Sequence, residues 1–225
     1  MPDSIDAQFE AAEKEWIEGW KRGPRRLRWD RVPLQVGDQA PDHTLLDTQS
    51  NRIPLKSLWK EKPALIIFWR HYGCSCGVDR ANRLISEYDA YREAGANIVI
   101  IGQGEPERTA AYAKKYHLPA IPILCDPEYQ VYESFGLVDG KPSQILFDAP
   151  EEYLDLQLEA GLSLAKSRRE EGRPLVDNSW LLPGEFVVDA KGEVRLAYRY
   201  NYCEDFPDHR VLVAAIREAR LASAR

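Results

Sequence analysis

Ala64-Leu65-Ile66-Ile67-Phe68-Trp69-Arg70-His71-Tyr72-Gly73-Cys74-Ser75-Cys76-Gly77 is the stretch that decides the fold. The unbroken apolar run from Ala64 to Trp69 reads as a strand covered on both faces. Val78, Ala81, Leu84/Ile85, Tyr88 and Tyr91 then keep helical spacing as far as Gly95, a C′ stop. Two of the four cysteines therefore sit at a strand-to-helix turn. The orphan N–H groups and the positive dipole end of a helix favour thiolate over thiol there. Asn97 to Ile101 is a second buried strand, which completes a βαβ unit with parallel strands and a right-handed crossover. The cysteine turn then lies at the carboxyl edge of the sheet, where open α/β folds place their sites.

Around this unit the 225-residue chain reads as one generous domain with extensions. No apolar run approaches the roughly 18–20 residues that span a bilayer. The acidic start lacks a basic-then-apolar signal pattern, so the reading expects a cytoplasmic protein. A net charge of −6 argues against nucleic acid as a partner. Four cysteines are too few for a disulfide scaffold, so the CxC pair points to redox chemistry or metal binding.

Residues 4–21 predict an amphipathic helix with Ile5, Phe9, Ala12, Trp16 and Trp20 on one stripe. It is expected to dock on the domain or on a second copy, which makes a homodimer a partner expectation. The basic run from Lys21 to Arg31 reads as a solvated linker that pairs with the acidic body. His43–Leu46 with Ile53–Leu55 predict a short hairpin, followed beyond the βαβ unit by a helix at 106–116 and a strand at 121–125. Asp126-Pro127 reads as an N-cap with proline at N1 for a helix ending at Gly136. Asp148 to Glu151 resembles a capping box opening one long helix to Gly172, with Leu154, Leu158, Leu162 and Ala165 on one face. Residues 185–189 and 193–200 predict a hairpin, and Asp208 caps a last helix. Gly102-Gln103-Gly104 lacks the third glycine of a dinucleotide turn and leads into acidic sequence, which argues against nucleotide binding there.

Val36-Gly37-Asp38-Gln39-Ala40-Pro41-Asp42, the cysteine turn, Ile121 to Pro127 with Tyr129 to Gly136, and Pro183 to Asp189 with Gly192 occur in that order. Together they resemble the thioredoxin-fold peroxiredoxins of the AhpC/TSA superfamily, over residues 34–222. The similarity is to the peroxiredoxin-like branch, whose turn reads approximately FLRHFGCPFC. It implies an α/β thioredoxin-like fold: a central mixed sheet flanked by helices, with an N-terminal helical extension (1–33) and a domain at 34–225. A helical insertion at about 139–181 precedes the last hairpin. The turn departs from the peroxiredoxin PxxxTxxC pattern. His71 stands at the threonine and Ile67 at the proline, while the second cysteine of a CxxC falls at Gly77. The family's distant arginine falls at Pro183, which resembles the cis-proline facing the cysteines of thioredoxins.

Cys74 is the expected nucleophile, with Arg70 and a protonated His71 lowering its pKa. Cys76 and Cys203 are the candidate resolving thiols. Cys203 earns its place because the last hairpin returns the chain to the catalytic edge. Tyr72, Gly73, Pro183 and Arg199 are the expected substrate-pocket residues, Arg199 replacing the missing peroxide-binding arginine. Cys125 reads as a packed core residue. The leading expectation is a thiol peroxidase acting on H₂O₂ or organic hydroperoxides, with no cofactor. A thioredoxin-like protein or a low-molecular-weight thiol would be its reductant. The alternatives are a thiol-disulfide reductase or isomerase using Cys74/Cys76, and a Cu(I)-binding module using the CxC thiolates and His71.

Overall fold

A computed structural model describes residues 5–223; the expected helix start at residue 4 and the side chain of Ile5 lie outside the described residues. The helices are α1 Ile5–Arg22, α2 Ser75–Ala94, α3 Pro106–Lys115, α4 Gln130–Ser134, α5 Pro142–Ile145, α6 Glu151–Leu154, α7 Leu158–Glu170 and α8 His209–Ser223. The strands are β1 Thr44–Asp47, β2 Arg52–Pro54, β3 Ala64–Phe68, β4 Asn97–Gly102, β5 Ile123–Cys125, β6 Gly184–Val188 and β7 Val194–Arg199. They form one seven-stranded mixed sheet in the order β2-β1-β5-β4-β3-β6-β7. The βαβ unit is as expected: β3 runs parallel to β4, and β4 parallel to β5.

Alternation along β3 divides the core. Leu65 and Ile67 point to the α2/α8 side with Leu84, Tyr91, Leu212 and Ile216. Ile66 and Phe68 point to the other side with Tyr132, Phe135 and Phe186. Every residue of β3 and β6 is buried, which is why β3 carries no polar residue. The one acid in β6, Glu185, is tied to Arg80 of α2 at 2.8 Å and accepts from the Tyr200 hydroxyl at 2.6 Å. That network fastens the helix that starts at the cysteines to the sheet.

A third apolar cluster binds the extension to the insertion. Trp16 and Trp20 of α1 pack with Ala160, Leu175 and Trp180. Trp20 and Trp180 lie 5.6 Å apart, and the Trp20 indole donates to Gln157 O at 3.1 Å. The helix α1 is thus docked on its own chain. The basic linker behaves as expected: Arg26 pairs with Glu133 at 3.2 Å.

Two helix expectations need correction. The predicted helix from Pro127 begins only at Gln130, after Tyr129 at φ 58°. The Asp126 carboxylate still accepts from the N–H groups of Gln130, Val131 and Tyr132, so it caps from farther away. The single long helix of 148–172 is broken into α6 and α7, because Leu156 takes a left-handed φ of 58°. The register therefore changes between the pieces, and Leu158 and Leu162 face solvent.

Candidate redox site

The chain leaves β3 at Phe68 and makes the turn 69–74, and α2 starts with Cys74 as its N-cap residue in extended conformation (φ −76°, ψ 136°). Gly73 is required here: a Cβ on it would come within 2.7 Å of Pro174 O, on the segment that passes over the turn. That segment is anchored by Arg108, whose guanidinium meets the Asp177 carboxylate at 2.6 Å in the interior. Cys74 and Cys76 are joined by a disulfide, with Cα atoms 5.3 Å apart. Cys74 is half-buried while Cys76 is 1% exposed, so one sulfur of the pair is open to attack and the other is not. The spacing has a packing reason. A Cβ at position 77 would meet Tyr112 Oη at 2.9 Å and Trp69 Nε1 at 3.3 Å, so Gly77 leaves no room for the second cysteine of a CxxC.

A cavity of about 270 Å³ opens beside this turn. Its floor includes Arg70, His71, Gly73 and Cys74, and Cys203 stands in its wall. Trp16 and Trp20 of α1, Leu146 and Phe147 after α5, and Leu164 and Arg168 of α7 complete it. Register explains Cys203. Gly184 pairs with Phe68 and with Arg199, so β7 returns to the edge where β3 ends, and Cys203 follows within four residues. Its amide donates to Gln144 O at 3.3 Å and its thiol to Ile145 O at 3.7 Å. Burial raises the Cys203 pKa, and Arg70 acts against that rise.

Arg70 is 3% exposed and donates from Nη1 to Leu181 O at 2.7 Å, while its Nε has no partner. Burial lowers its pKa to about 10, so it stays a cation at neutral pH. His71 departs from expectation. Burial first, then Arg70, Arg168 and Arg173, hold its pKa well below 6.5, so it is a neutral imidazole and not a second cation beside Cys74. Its Nδ1 is buried without a hydrogen-bond partner.

Three expected pocket residues lie elsewhere. Tyr72 turns into the core, stacked on Tyr112 with ring centroids 4.5 Å apart and its hydroxyl 2.8 Å from Thr109. It fits there because Gly102 and Gly104 leave space under its ring. Arg199 is held by backbone oxygens, donating to Phe135 O at 2.7 Å and to Leu34 O at 2.6 Å, and does not line the cavity. Pro183 is outside the cavity wall, and no cis peptide bond occurs among the described residues. No group of three or more His, Cys, Asp or Glu side chains converges for a metal ion among the described residues. Cys125 is a core residue, its thiol pushed up to about 11 by burial.

The wall residues from α1, α7 and the 145–149 segment were not legible as site residues. The tryptophan spacing in α1 signalled a docked face, and nothing in the sequence said that this face overlooks the thiols.

The AhpC/TSA family model matches residues 36–197. The chain belongs to this family. Among curated proteins it is 30% identical over 105 residues to the thioredoxin-like protein AAED1, chloroplastic, of Arabidopsis thaliana, covering 47% of this chain and 42% of that protein. It is 28% identical over 142 residues to peroxiredoxin Q of Sedum lineare, covering 61% and 74%. It is also 28% identical over 109 residues to the thiol-disulfide oxidoreductase ResA of Halalkalibacterium halodurans, covering 48% and 60%. The chain thus spans less than half of the first relative and three fifths of the third. Among solved structures, the peroxidoxin BcpB of Mycobacterium tuberculosis superposes with TM-score 0.58 at 17% identity, covering 82% of this chain and 97% of that one. A disulfide isomerase-like protein of Bacteroides thetaiotaomicron gives 0.52 at 17% identity, covering 84% and 91%. These likenesses establish a peroxiredoxin-like thioredoxin fold. Among the described residues no helix is long and apolar enough to cross a membrane.

Proposed function

We propose that this AhpC/TSA-family chain is a thiol peroxidase in which Cys74 and Cys76 form the working dithiol–disulfide couple. The observation that carries it is the pair itself: bonded sulfurs at a helix N-terminus, with only Cys74 open to the cavity. The Cys74 thiolate attacks the distal oxygen of a hydroperoxide, breaking the O–O bond. The alkoxide or hydroxide leaves and takes a proton, and Cys74 becomes a sulfenic acid. Cys76 thiolate then attacks that sulfur and expels hydroxide, which takes up the proton that Cys76 had given up and leaves as water, forming the disulfide. Two equivalents of external thiol return both cysteines to the reduced state. Arg70 supports the first step as a buried cation without a direct ion pair among the described residues, favouring the charged thiolate and the developing oxyanion. Cys203, in the same cavity wall, is the alternative resolving thiol.

The test is to mix reduced protein with one equivalent of peroxide and read the products by mass spectrometry. Wild type should lose two thiols and gain a Cys74–Cys76 bond. Cys74→Ser should leave peroxide unconsumed, and Cys76→Ser should accumulate a sulfenic acid or a Cys74–Cys203 bond. Consumption by Cys74→Ser at the wild-type rate would sink the reading. The ResA likeness favours a second reading, a thiol-disulfide reductase built on the same pair. Turnover of a disulfide substrate, with no reaction toward peroxide, would select it.

A further inference from the structure

The cavity beside Cys74 has an uneven charge distribution that the peroxidase chemistry does not use. Two guanidinium groups, those of Arg70 and Arg168, line it, and that of Arg173 stands at the turn beside it. Among the described residues one carboxylate pairs with them: Glu171 meets Arg168 at 3.0 Å and also binds Arg173. Arg173 reaches the turn itself, donating to Gly73 O at 3.3 Å. Arg70 donates to Leu181 O and forms no ion pair with a carboxylate among the described residues, Asp139 acting on it only through space. The cavity's own acids, Asp148 and Glu204, are exposed at its rim. The interior is thus net positive where it meets the turn. It also holds unfilled hydrogen-bonding capacity, since Trp16 Nε1, Arg70 Nε and His71 Nδ1 are all buried without partners. Two of these are fixed donors, the kind of group that an acceptor-only ligand satisfies. Side chains from separate segments frame the same place. The α1 tryptophans, the 146–147 segment and α7 stand around Cys74, and Cys76 is sealed. The cleft's volume of about 270 Å³ corresponds to roughly nine water molecules at about 30 Å³ each, the scale of a small organic molecule.

We infer that the reductant of the Cys74–Cys76 disulfide is a small, carboxylate-bearing thiol that enters this cavity, rather than a protein dithiol. This rests on the reading above that the disulfide is the working oxidised form. The thiolate of the reductant attacks Cys74 Sγ and breaks the bond to Cys76, which leaves as thiolate. A mixed disulfide on Cys74 results. A second thiol attacks the reductant's sulfur in that mixed disulfide, releasing the Cys74 thiolate and a small disulfide, and the cysteine thiolates take protons from the two thiols consumed. The carboxylate sits toward Arg70 and Arg168, where it accepts charge-assisted hydrogen bonds.

The experiment starts from oxidised protein and contains no peroxide, so its failure is separable from failure of the peroxidase reading. Disulfide loss is followed by acid quench, alkylation and mass for mercaptopropionate, mercaptoethanol and cysteamine, each corrected for its thiolate fraction. The expected order is anionic over neutral over cationic, with mercaptopropionate roughly tenfold or more faster than cysteamine. In 1 M salt, where the screening length is about 3 Å, that advantage should shrink severalfold. Arg168→Gln, at a partly exposed side chain, should reduce the preference without a change in fold. Equal rates for the three thiols, or cysteamine fastest, would overturn the inference. So would a thioredoxin that reduces the bond far faster than mercaptopropionate at equal concentration.

Discussion

Alanine at position 161 should destabilise this protein, although the same change within a helix ordinarily stabilises by about 1 kcal/mol. The sign follows from one contact. A Cβ on Gly161 would fall 2.5 Å from both Cδ1 and Nε1 of Trp20 and 2.9 Å from Cε2. The Trp20 ring cannot retreat freely, because it is 1% exposed and lies 5.5 Å from Trp16, 5.6 Å from Trp180 and 6.3 Å from Tyr153. Forcing a methyl into a packed cluster costs about 1–3 kcal/mol. Displacing the indole from its bond to Gln157 O removes roughly another 1 kcal/mol. Set against the helix-propensity gain, the net loss is about 1–3 kcal/mol. Urea unfolding followed by tryptophan fluorescence should show a lower midpoint at unchanged slope for Gly161→Ala. Trp20→Leu in the same chain should recover much of the Gly161→Ala cost, giving a coupling energy of about 1–2 kcal/mol in a double-mutant cycle. A Gly161→Ala variant at least as stable as wild type would refute the docking of α1 on α7, and with it the account of how the cavity beside Cys74 is walled.

Three further predictions use other contacts. Arg80→Met leaves Glu185, which is 0% exposed, without its counter-ion, so unfolding free energy should fall by about 3–5 kcal/mol; a loss below 1 kcal/mol in urea would contradict the buried pair. His71 is held neutral in the fold and takes up a proton on unfolding below about pH 6.5, so the unfolded state binds more protons there and stability falls as pH falls. Between pH 8 and pH 5 this group should lower stability, by at most about 2 kcal/mol. Comparing wild type with His71→Gln at each pH isolates that slope from the buried acids Asp126 and Asp177, whose raised pKa values act in the opposite direction. Arg70→Met should slow alkylation of reduced Cys74 near neutrality and move its pH profile upward by about one unit; an unchanged profile would remove Arg70 from the site's electrostatics.

The sheet was readable because its signals are local. The run Ala64–Phe68, the helical spacing from Val78 to Tyr91 and the glycine at 95 each depend on neighbours in the chain, and the structure places β3, α2 and the C-cap there. Local reading failed where a backbone switch interrupts a periodic pattern. Leu158 and Leu162 continue an apolar stripe in sequence, but the left-handed turn at Leu156 rotates them to solvent. It failed also for long polar side chains. Arg199 looked free to serve a peroxide, yet two carbonyl groups from residues 34 and 135 hold it away.

By itself the sequence determined that two thiols stand at a strand-to-helix turn on the carboxyl edge of a thioredoxin-like sheet. A continuous buried strand, a helix start and the cysteine spacing are all written within a few residues of one another. Only the tertiary structure decided what surrounds the sulfurs. Gly77 faces Tyr112 and Trp69, which confines the second cysteine to position 76. Burial among arginines turns His71 from a cation into a neutral ring. Helices α1 and α7, more than 130 residues apart in the chain at Trp20 and Gln157, close around Cys74. Such contacts depend on how separate segments fill one volume, and packing across that distance leaves no periodic mark in either segment.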